Sequence, residues 1–156
     1  MIANLAQDAH RIAVSKGFWR RETSASVVAT KVALIHTEIE EVRDADRLDI
    51  DIGDELADIA IRTLDLAVSL DTPLVDYDIM STPVAVETEI EDLHTAAALI
   101  TQSDRRDDPA TRRAALIHLI RSLLYIASER DLDLWSLVQI KQEYNRNRPE
   151  LHDRRY

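Results

Sequence analysis

Four acidic residues have a spacing that is suited to binding metal ions. Glu38 and Glu41 are three residues apart, and Glu55 and Asp58 repeat this interval after thirteen intervening residues. Residues three apart share one face of an α-helix. If the two pairs lie on antiparallel helices, all four carboxylates can point into one space. Because oxygen ligands without Cys or His favour Mg²⁺ or Mn²⁺ over zinc, the four are candidate metal-binding and catalytic residues.

The same pattern also has an ordinary explanation. The chain contains 29 Asp and Glu residues among 156. Pairs at this interval therefore also arise by chance on solvated helix faces, as Glu89 and Asp92 illustrate. Four carboxylates in one space would repel one another and lose solvation, and a bound cation removes that conflict. Spacing alone leaves both the metal site and the solvated surface open.

Residues near the C-terminus could bind phosphate. Lys141 and Asn145 are one helical turn apart, and Arg148 follows near the same side. Lysine supplies a point charge, arginine a fork of donors and asparagine a neutral donor. Cations at the end of a helix also complement its dipole, which is an alternative reason for their presence.

Three residues close to the acidic pairs have ordinary explanations. Arg62 lies one turn after Asp58 and could form an ion pair within the helix. Asp65 could be a surface residue or could orient a neighbouring side chain. His36 is expected to be a packed histidine rather than a metal ligand.

The composition predicts the elements that carry these residues. Only 2 glycines and 7 aromatic residues occur, while 46% of the chain is hydrophobic, which favours helices over a sandwich or barrel. Gly17 and Gly53 stand alone, so a glycine-rich phosphate loop is excluded. The net charge of -10 argues against nucleic-acid binding through a broad basic face. Because cysteine is absent, disulfides, thiolate nucleophiles and iron–sulfur sites are excluded.

Hydrophobic periodicity and the prolines predict an all-α fold. We expect one domain over residues 1–156, with linkers at 71–81 and 103–109. The predicted helices cover residues 2–15, 23–46, 49–70, 84–102, 110–129 and 133–146. No segment has the apolar length of a signal peptide or a membrane span. The expected location is the cytoplasm, or the host cytoplasm if the protein is viral, without membrane contact.

Two segments of the first half have counterparts in the second half. Glu38–Glu41 is similar to Glu89–Asp92, and Ile61–Ala67 is similar to Ile120–Ala127. In the second copy, Ala115 and His118 stand about where the first copy has its second acidic pair. A duplicated and degenerate helical hairpin would produce this pattern, and so would chance among helices rich in Leu and Ala.

Together these motifs resemble the MazG-like nucleotide pyrophosphohydrolases of the all-α NTP pyrophosphatase superfamily. The family pattern E-x-x-E, a spacer and E-x-x-D is matched by the two acidic pairs, and K-x-x-Y-N-x-x-R-P is matched from Lys141 to Pro149. The sequence segments 16–19, 34–38 and 54–62 are also similar to those of the family. The resemblance implies a helical bundle with a four-helix metal-binding core. It covers residues 16–71 and 131–152, and 74–130 is expected to elaborate the core. His152-Asp153 departs from the usual His-Gly of the family.

The resemblance implies hydrolysis of a (deoxy)nucleoside triphosphate to the monophosphate and pyrophosphate, by attack of a metal-activated water on the α-phosphorus. By this resemblance, about two or three Mg²⁺ ions are held by Glu38, Glu41, Glu55 and Asp58, and Mn²⁺ can substitute for Mg²⁺. The phosphates are bound by Lys141, Asn145 and Arg148, with Arg62 as a weaker candidate. Trp19 either stacks on the base or packs in the core or a dimer interface. Spacing does not identify the general base.

The family also commonly forms homodimers or homotetramers, so self-association is expected. The alternative function is a catalytically silent helical module of the same fold that binds nucleotides or partner proteins. A di-iron carboxylate protein is disfavoured, because it needs two E-x-x-H pairs and the chain offers only Glu91 with His94.

Overall fold

A computed structural model describes residues 1–19, 25–80 and 89–148. These ranges form seven α-helices: α1 Ile2–Ser15, α2 Ala25–Arg47, α3 Gly53–Ser69, α4 Asp76–Met80, α5 Ile90–Arg105, α6 Pro109–Ser128 and α7 Leu134–Asn147. Over the described ranges there is no strand, so the predicted all-α class is confirmed. None of the helices in this part of the chain has both the length and the apolar character that crossing a membrane requires.

Two helical hairpins close into a four-helix bundle. Residues 48–52 connect α2 to α3, and residues 106–108 connect α5 to α6. Helix α2 packs on α5 and α3 packs on α6, which completes the ring. Helices α1 and α7 pack on α3 and on each other, while α4 packs on α6. Helix α3 therefore contacts α1, α2, α6 and α7, and residues 74–130 supply half of the bundle.

Apolar stripes explain why these helices pack as they do. The stripe of α2 is fully buried, as its periodicity predicts: Val28, Val32, Ile35, Ile39 and Val42. The stripe of α3 is buried as well: Leu56, Ile59, Ala60, Thr63, Leu66 and Ala67. Each fully buried Val, Leu or Ile side chain contributes about 1.5–3 kcal/mol to folding. In α1, Ile12 and Ala13 are only partly buried, so its packed face is shorter than predicted.

Aspartate terminates four helices in a chain that has little glycine. Asp49, Asp71, Asp107 and Asp131 have φ angles of 55°, 48°, 50° and 55°, in the left-handed region that few residues besides Gly, Asn and Asp adopt. The residue after each Asp donates its N–H to a carbonyl in the last turn of the helix, as in the Schellman motif. The four bonds are Ile50 to Ala45, Thr72 to Ala67, Asp108 to Ser103 and Leu132 to Ala127, at 2.9–3.0 Å. Gly17, with φ 81°, ends α1 in the same way.

Several helix boundaries differ from the prediction. Helix α3 begins at Gly53 rather than at residue 49, because residues 49–52 form a turn in which Asp51 Oδ1 accepts the Gly53 N–H at 2.8 Å. Helix α5 extends to Arg105 through residues that were predicted to be a loop, and α4 lies inside the predicted linker 71–81. Two helices were predicted to start at residues 23 and 84, which lie outside the described residues. His152-Asp153 also lies outside them.

The two hairpins share a residue register. Helix α2 ends at Arg47 and α5 ends at Arg105, and in both the left-handed Asp follows two residues later. His36 and His94 each lie 11 residues before that final Arg. The side chains of these two equivalent histidines contact each other, with Nδ1 atoms 2.7 Å apart.

This register changes both sequence correspondences. Glu38 lies inside α2, whereas Glu89 is the N-cap residue of α5 and donates its backbone N–H to Asp92 at 2.9 Å. Glu38–Glu41 and Glu89–Asp92 are therefore not at equivalent positions, and the residue equivalent to Glu38 is Ala96. The correspondence of Ile61–Ala67 with Ile120–Ala127 fits only at its end, where Ala67 and Ala127 each lie four residues before the left-handed Asp. The second segment is one residue longer, so Ile61 and Ile120 are not equivalent.

Candidate functional site

A row of charged side chains follows the groove between α2 and α3. Asp58, Arg62 and Asp65 are four and three residues apart on α3 and share one helix face. Lys31 and Glu38, seven residues apart on α2, interact with this row. We call these five residues the charged groove. Along α3, the helix rises about 10 Å from Asp58 to Asp65.

Glu38 and Asp58 form the acidic end of the charged groove. Glu38 is only 6% exposed and accepts hydrogen bonds from Nε of Arg62 at 2.8 Å and from a second guanidinium nitrogen. Burial raises the pKa of Asp58, Lys141 opposes this change, and the nearby Glu38 charge adds to it. Arg62 therefore pairs across the helices with Glu38, and the predicted ion pair with Asp58 inside α3 is not the one that forms.

Lys141 of α7 contacts the same end. Its Nζ donates to Asp54 at 2.9 Å and lies 3.1 Å from Oδ2 of Asp58. Burial lowers the pKa of Lys141, but the two carboxylates outweigh it, so the pKa is raised overall. Gly53 permits this approach, because a Cβ at that position would lie 3.0 Å from Cδ1 of Leu137, one turn before Lys141.

The other two predicted acids are placed differently from each other. Glu55 is half-buried, and its Oε2 is fully buried with no hydrogen-bond partner in the described part of the chain. Glu41 is exposed. Among the described residues, no three His, Asp or Glu side chains converge into a metal-binding group. The donor set nevertheless fits Mg²⁺ or Mn²⁺, because it is all oxygen and includes a buried oxygen without a partner.

The remaining phosphate-binding candidates lie further along α7. Asn145 is half-buried, one turn after Lys141. Arg148 is exposed, and its guanidinium carbon lies 5.5 Å from the centroid of the Tyr144 ring. The Arg148 backbone carbonyl accepts a hydrogen bond from Lys16 Nζ. Of the three predicted residues, Lys141 is the one that contacts the acidic end.

Asp65 organises the opposite end of the charged groove. It is buried, and its Oδ1 accepts the indole N–H of Trp19 at 2.7 Å and lies 2.8 Å from Nδ1 of His10. The two rings are tilted, with centroids 5.7 Å apart. Burial raises the pKa of Asp65, while the hydrogen bonds and the Lys31 charge counteract it. Asp65 is thus an orienting residue, one of its two expected roles, and Trp19 is fixed by it.

Lys31 completes this aromatic end. Its Nζ lies 4.2 Å from the centroid of the Trp19 ring and 5.2 Å from that of Phe18. The sequence reasoning missed both Lys31 and His10. Lys31 had a detectable signal, because it lies seven residues before Glu38 and so on the same face of α2. His10 had none, since α1 is brought to Asp65 by tertiary packing alone.

A separate histidine cluster joins the two hairpins. The rings of His36 and His94 stack with centroids 5.0 Å apart, and His94 Nε2 lies 3.0 Å from Oε1 of Glu40. Burial lowers the pKa of His36, the adjacent His94 lowers it further, and Glu40 opposes both. His36 is packed, as expected. Glu91 is exposed.

Comparison with known proteins leaves the charged groove to be interpreted from its own residues. The chain matches no protein-family model, no curated protein and no solved structure. One end of the groove has two ion pairs, Glu38 with Arg62 and Asp58 with Lys141, and the other has Asp65, Lys31 and a fixed indole ring. This polarity is the basis of the functional argument.

Proposed function

We propose that the chain is a Mg²⁺-dependent nucleoside triphosphate pyrophosphohydrolase that converts a (d)NTP to the monophosphate and pyrophosphate. The observation that carries the proposal is the polarity of the charged groove. Both ends carry acids and cations, but the end at Asp65 also has the fixed indole ring of Trp19, and about 10 Å of α3 separates the two ends. A nucleoside triphosphate has the same polarity, with its phosphates at one end and a flat base at the other.

The acidic end has the groups that phosphoryl chemistry requires. Glu38, Glu41, Glu55 and Asp58 would hold Mg²⁺, which supplies an activated water and neutralises phosphate oxygens when it is bound. In the free protein, Arg62 neutralises Glu38 and Lys141 neutralises Asp58. The same donors suit phosphate oxygens, Arg62 as a fork and Lys141 as a point charge.

The outer face of α7 supports the proposal that the chain self-associates. Ile140 is 68% exposed and Tyr144 is 60% exposed. They lie one turn apart and flank Lys141 in sequence, so they form an apolar surface beside the acidic end. We propose that this surface contributes to a homodimer or homotetramer.

We also infer that the α5–α6 hairpin is a degenerate copy of α2–α3. Both first helices have His at the same distance from their final Arg, and both are followed by a left-handed Asp. His36 and His94 meet between α2 and α5, as equivalent residues do when two copies are related by a twofold axis.

The proposed activity is tested with a panel of all NTPs and dNTPs. Monophosphate and pyrophosphate should appear in equal amounts with Mg²⁺ or Mn²⁺ and disappear with EDTA. Glu41→Gln and Asp58→Asn should each lower the rate at least about 100-fold, because they remove charge where metal and phosphate bind. Glu91→Gln is the matched control, since it makes the same change at an exposed acid of α5.

Two results would contradict this activity. Release of single phosphate would exclude hydrolysis between the α- and β-phosphates. Full activity of both Glu41→Gln and Asp58→Asn would exclude the two acidic pairs as the reaction site. The alternative of a silent binding module predicts a third pattern, in which metal and a non-hydrolysable nucleotide raise the melting temperature without any release of pyrophosphate.

A further inference from the structure

Lys31 carries a cation that lies between two aromatic rings. In the part of the chain that the structure describes, its ammonium has no hydrogen bond or salt bridge, and its contacts are the rings of Trp19 and Phe18. Burial lowers the pKa of Lys31, and Arg62 lowers it further, while Asp65 opposes both. A cation over an indole face is favourable, but phosphate oxygens are far stronger partners for an ammonium group.

The position of Lys31 conflicts with base stacking on the free protein. A base that stacks on Trp19 needs an uncovered ring face. Lys31 covers one face at 4.2 Å from the ring centroid, the ring also packs against the hydrophobic core, and the indole N–H is held by Asp65 at 2.7 Å. Rotating Trp19 would break that hydrogen bond, so the lysine is the group that can move more easily.

We propose that Lys31 occupies the base subsite of the free protein and that a bound nucleotide displaces it, so that the base takes the Trp19 face and the ammonium binds the phosphates. This inference rests on the proposed function. Lysine is suited to the exchange because its charge ends a flexible four-carbon stem. Its destination lies on the same face of α2, because Glu38 at the acidic end follows Lys31 by seven residues, about 10 Å of helix.

Removing Lys31 should have opposite effects on two kinds of ligand. A nucleoside carries a base without phosphate and therefore only competes with the lysine. A triphosphate gains a phosphate contact from the displaced ammonium. Lys31→Ala should accordingly tighten nucleoside binding and weaken triphosphate binding.

The experiment follows the indole N–H resonance of Trp19, which a Trp135→Phe variant distinguishes from the second tryptophan. The ligands are the four deoxynucleosides, and the α,β-imido analogues of the four dNTPs with Mg²⁺. For Lys31→Ala we expect nucleoside affinity to rise about threefold and analogue affinity to fall about tenfold. Lys31→Met, which keeps the apolar stem, should act in the same direction. Lys141→Ala is the control that lowers analogue affinity without raising nucleoside affinity.

Each other outcome overturns a specific statement. If the lysine variants bind both ligands as the wild type does, the exchange is wrong and the proposed function stands. If they bind nucleosides more weakly, Lys31 only supports Trp19 and does not compete with the base. If the analogues bind without shifting the Trp19 resonance, the base subsite is elsewhere. If the wild type binds no analogue at all, both the proposed function and this inference fail.

Discussion

The α2–α3 and α5–α6 hairpins have the same register but very different polarity. With their left-handed aspartates aligned, the four predicted acids, Arg62 and Asp65 fall opposite residues that are not Asp, Glu, Lys or Arg, whereas Lys31 falls opposite Glu89. The corresponding pairs are Glu38 and Ala96, Glu41 and Leu99, Glu55 and Ala115, Asp58 and His118, Arg62 and Ser122, and Asp65 and Tyr125. A hairpin of this kind therefore folds without the charges, and their presence in α2–α3 calls for a reason other than folding.

The charges have a cost that the second hairpin avoids. Glu38 and Asp65 are buried in α2–α3, whereas the corresponding positions of α5–α6 have the buried Ala96 and the half-buried Tyr125. A buried charge is unfavourable unless it is paired and hydrogen-bonded. Binding of a charged ligand is a reason for one hairpin to retain such groups while the other has uncharged residues.

The largest effect on stability is expected from removing Arg62. Arg62→Ser introduces the residue of the second hairpin and leaves Glu38 buried without its cation. The free energy of unfolding should fall by about 2–3 kcal/mol, as measured by urea denaturation at pH 7. The double variant Glu38→Ala with Arg62→Ser carries both residues of the second hairpin and should recover most of this loss.

The exposed pair of Arg146 with Glu143 provides the control for that measurement. Arg146→Ser should change the free energy of unfolding by less than about 0.5 kcal/mol, because exposed ion pairs contribute little. A double variant that is no more stable than Arg62→Ser would show that the charges are needed for folding. The comparison between the hairpins would then lose its functional meaning.

Residue spacing predicts which side chains share a face of one helix better than it predicts contacts between helices. Periodicity identifies the buried stripes of α2 and α3, and with them the shared face of Asp58, Arg62 and Asp65. It does not decide whether Arg62 pairs with Asp58 or with Glu38, because the choice depends on the distance between two helices. His10 reaches Asp65 from another helix, and no local pattern encodes that contact.

Composition likewise does not predict which residues end the helices. Low glycine content predicts few left-handed residues, yet four aspartates adopt that conformation. Aspartate tolerates it through local hydrogen bonding, and composition does not show which aspartate will do so. The third helix was predicted to begin at residue 49, but Asp49 adopts the left-handed conformation and the helix begins at Gly53.

A smaller effect is expected at the histidine contact that joins the hairpins. The pKa of His36 is lowered in the folded protein by burial and by His94 of α5, and Glu40 of α2 opposes this. The unfolded chain therefore binds more protons as the pH falls below about 6.5. Stability should decline from that pH down to the lowered pKa and change no further below it through this group. Urea denaturation at a series of pH values measures the decline.

His36→Gln is the variant that isolates this contribution. Glutamine can still hydrogen-bond to His94 and does not titrate, so the decline between neutral and mildly acidic pH should become smaller. Carboxyl groups with raised pKa values, such as Asp58 and Asp65, remain in both proteins and cancel in the difference. An unchanged pH dependence would show that the two histidines do not link the hairpins energetically.

The smallest effect compares the two hairpin turns directly. Asp49→Gly and Asp107→Gly relieve a left-handed conformation, although glycine also makes the unfolded chain more flexible. Each variant should gain about 0.5 kcal/mol in the free energy of unfolding, measured by urea denaturation. Asp44→Gly, inside α2, should instead lose about 1 kcal/mol. Because the two turns have the same cap, equal gains are expected, and a gain in only one hairpin would show that their shared register does not reflect a shared local structure.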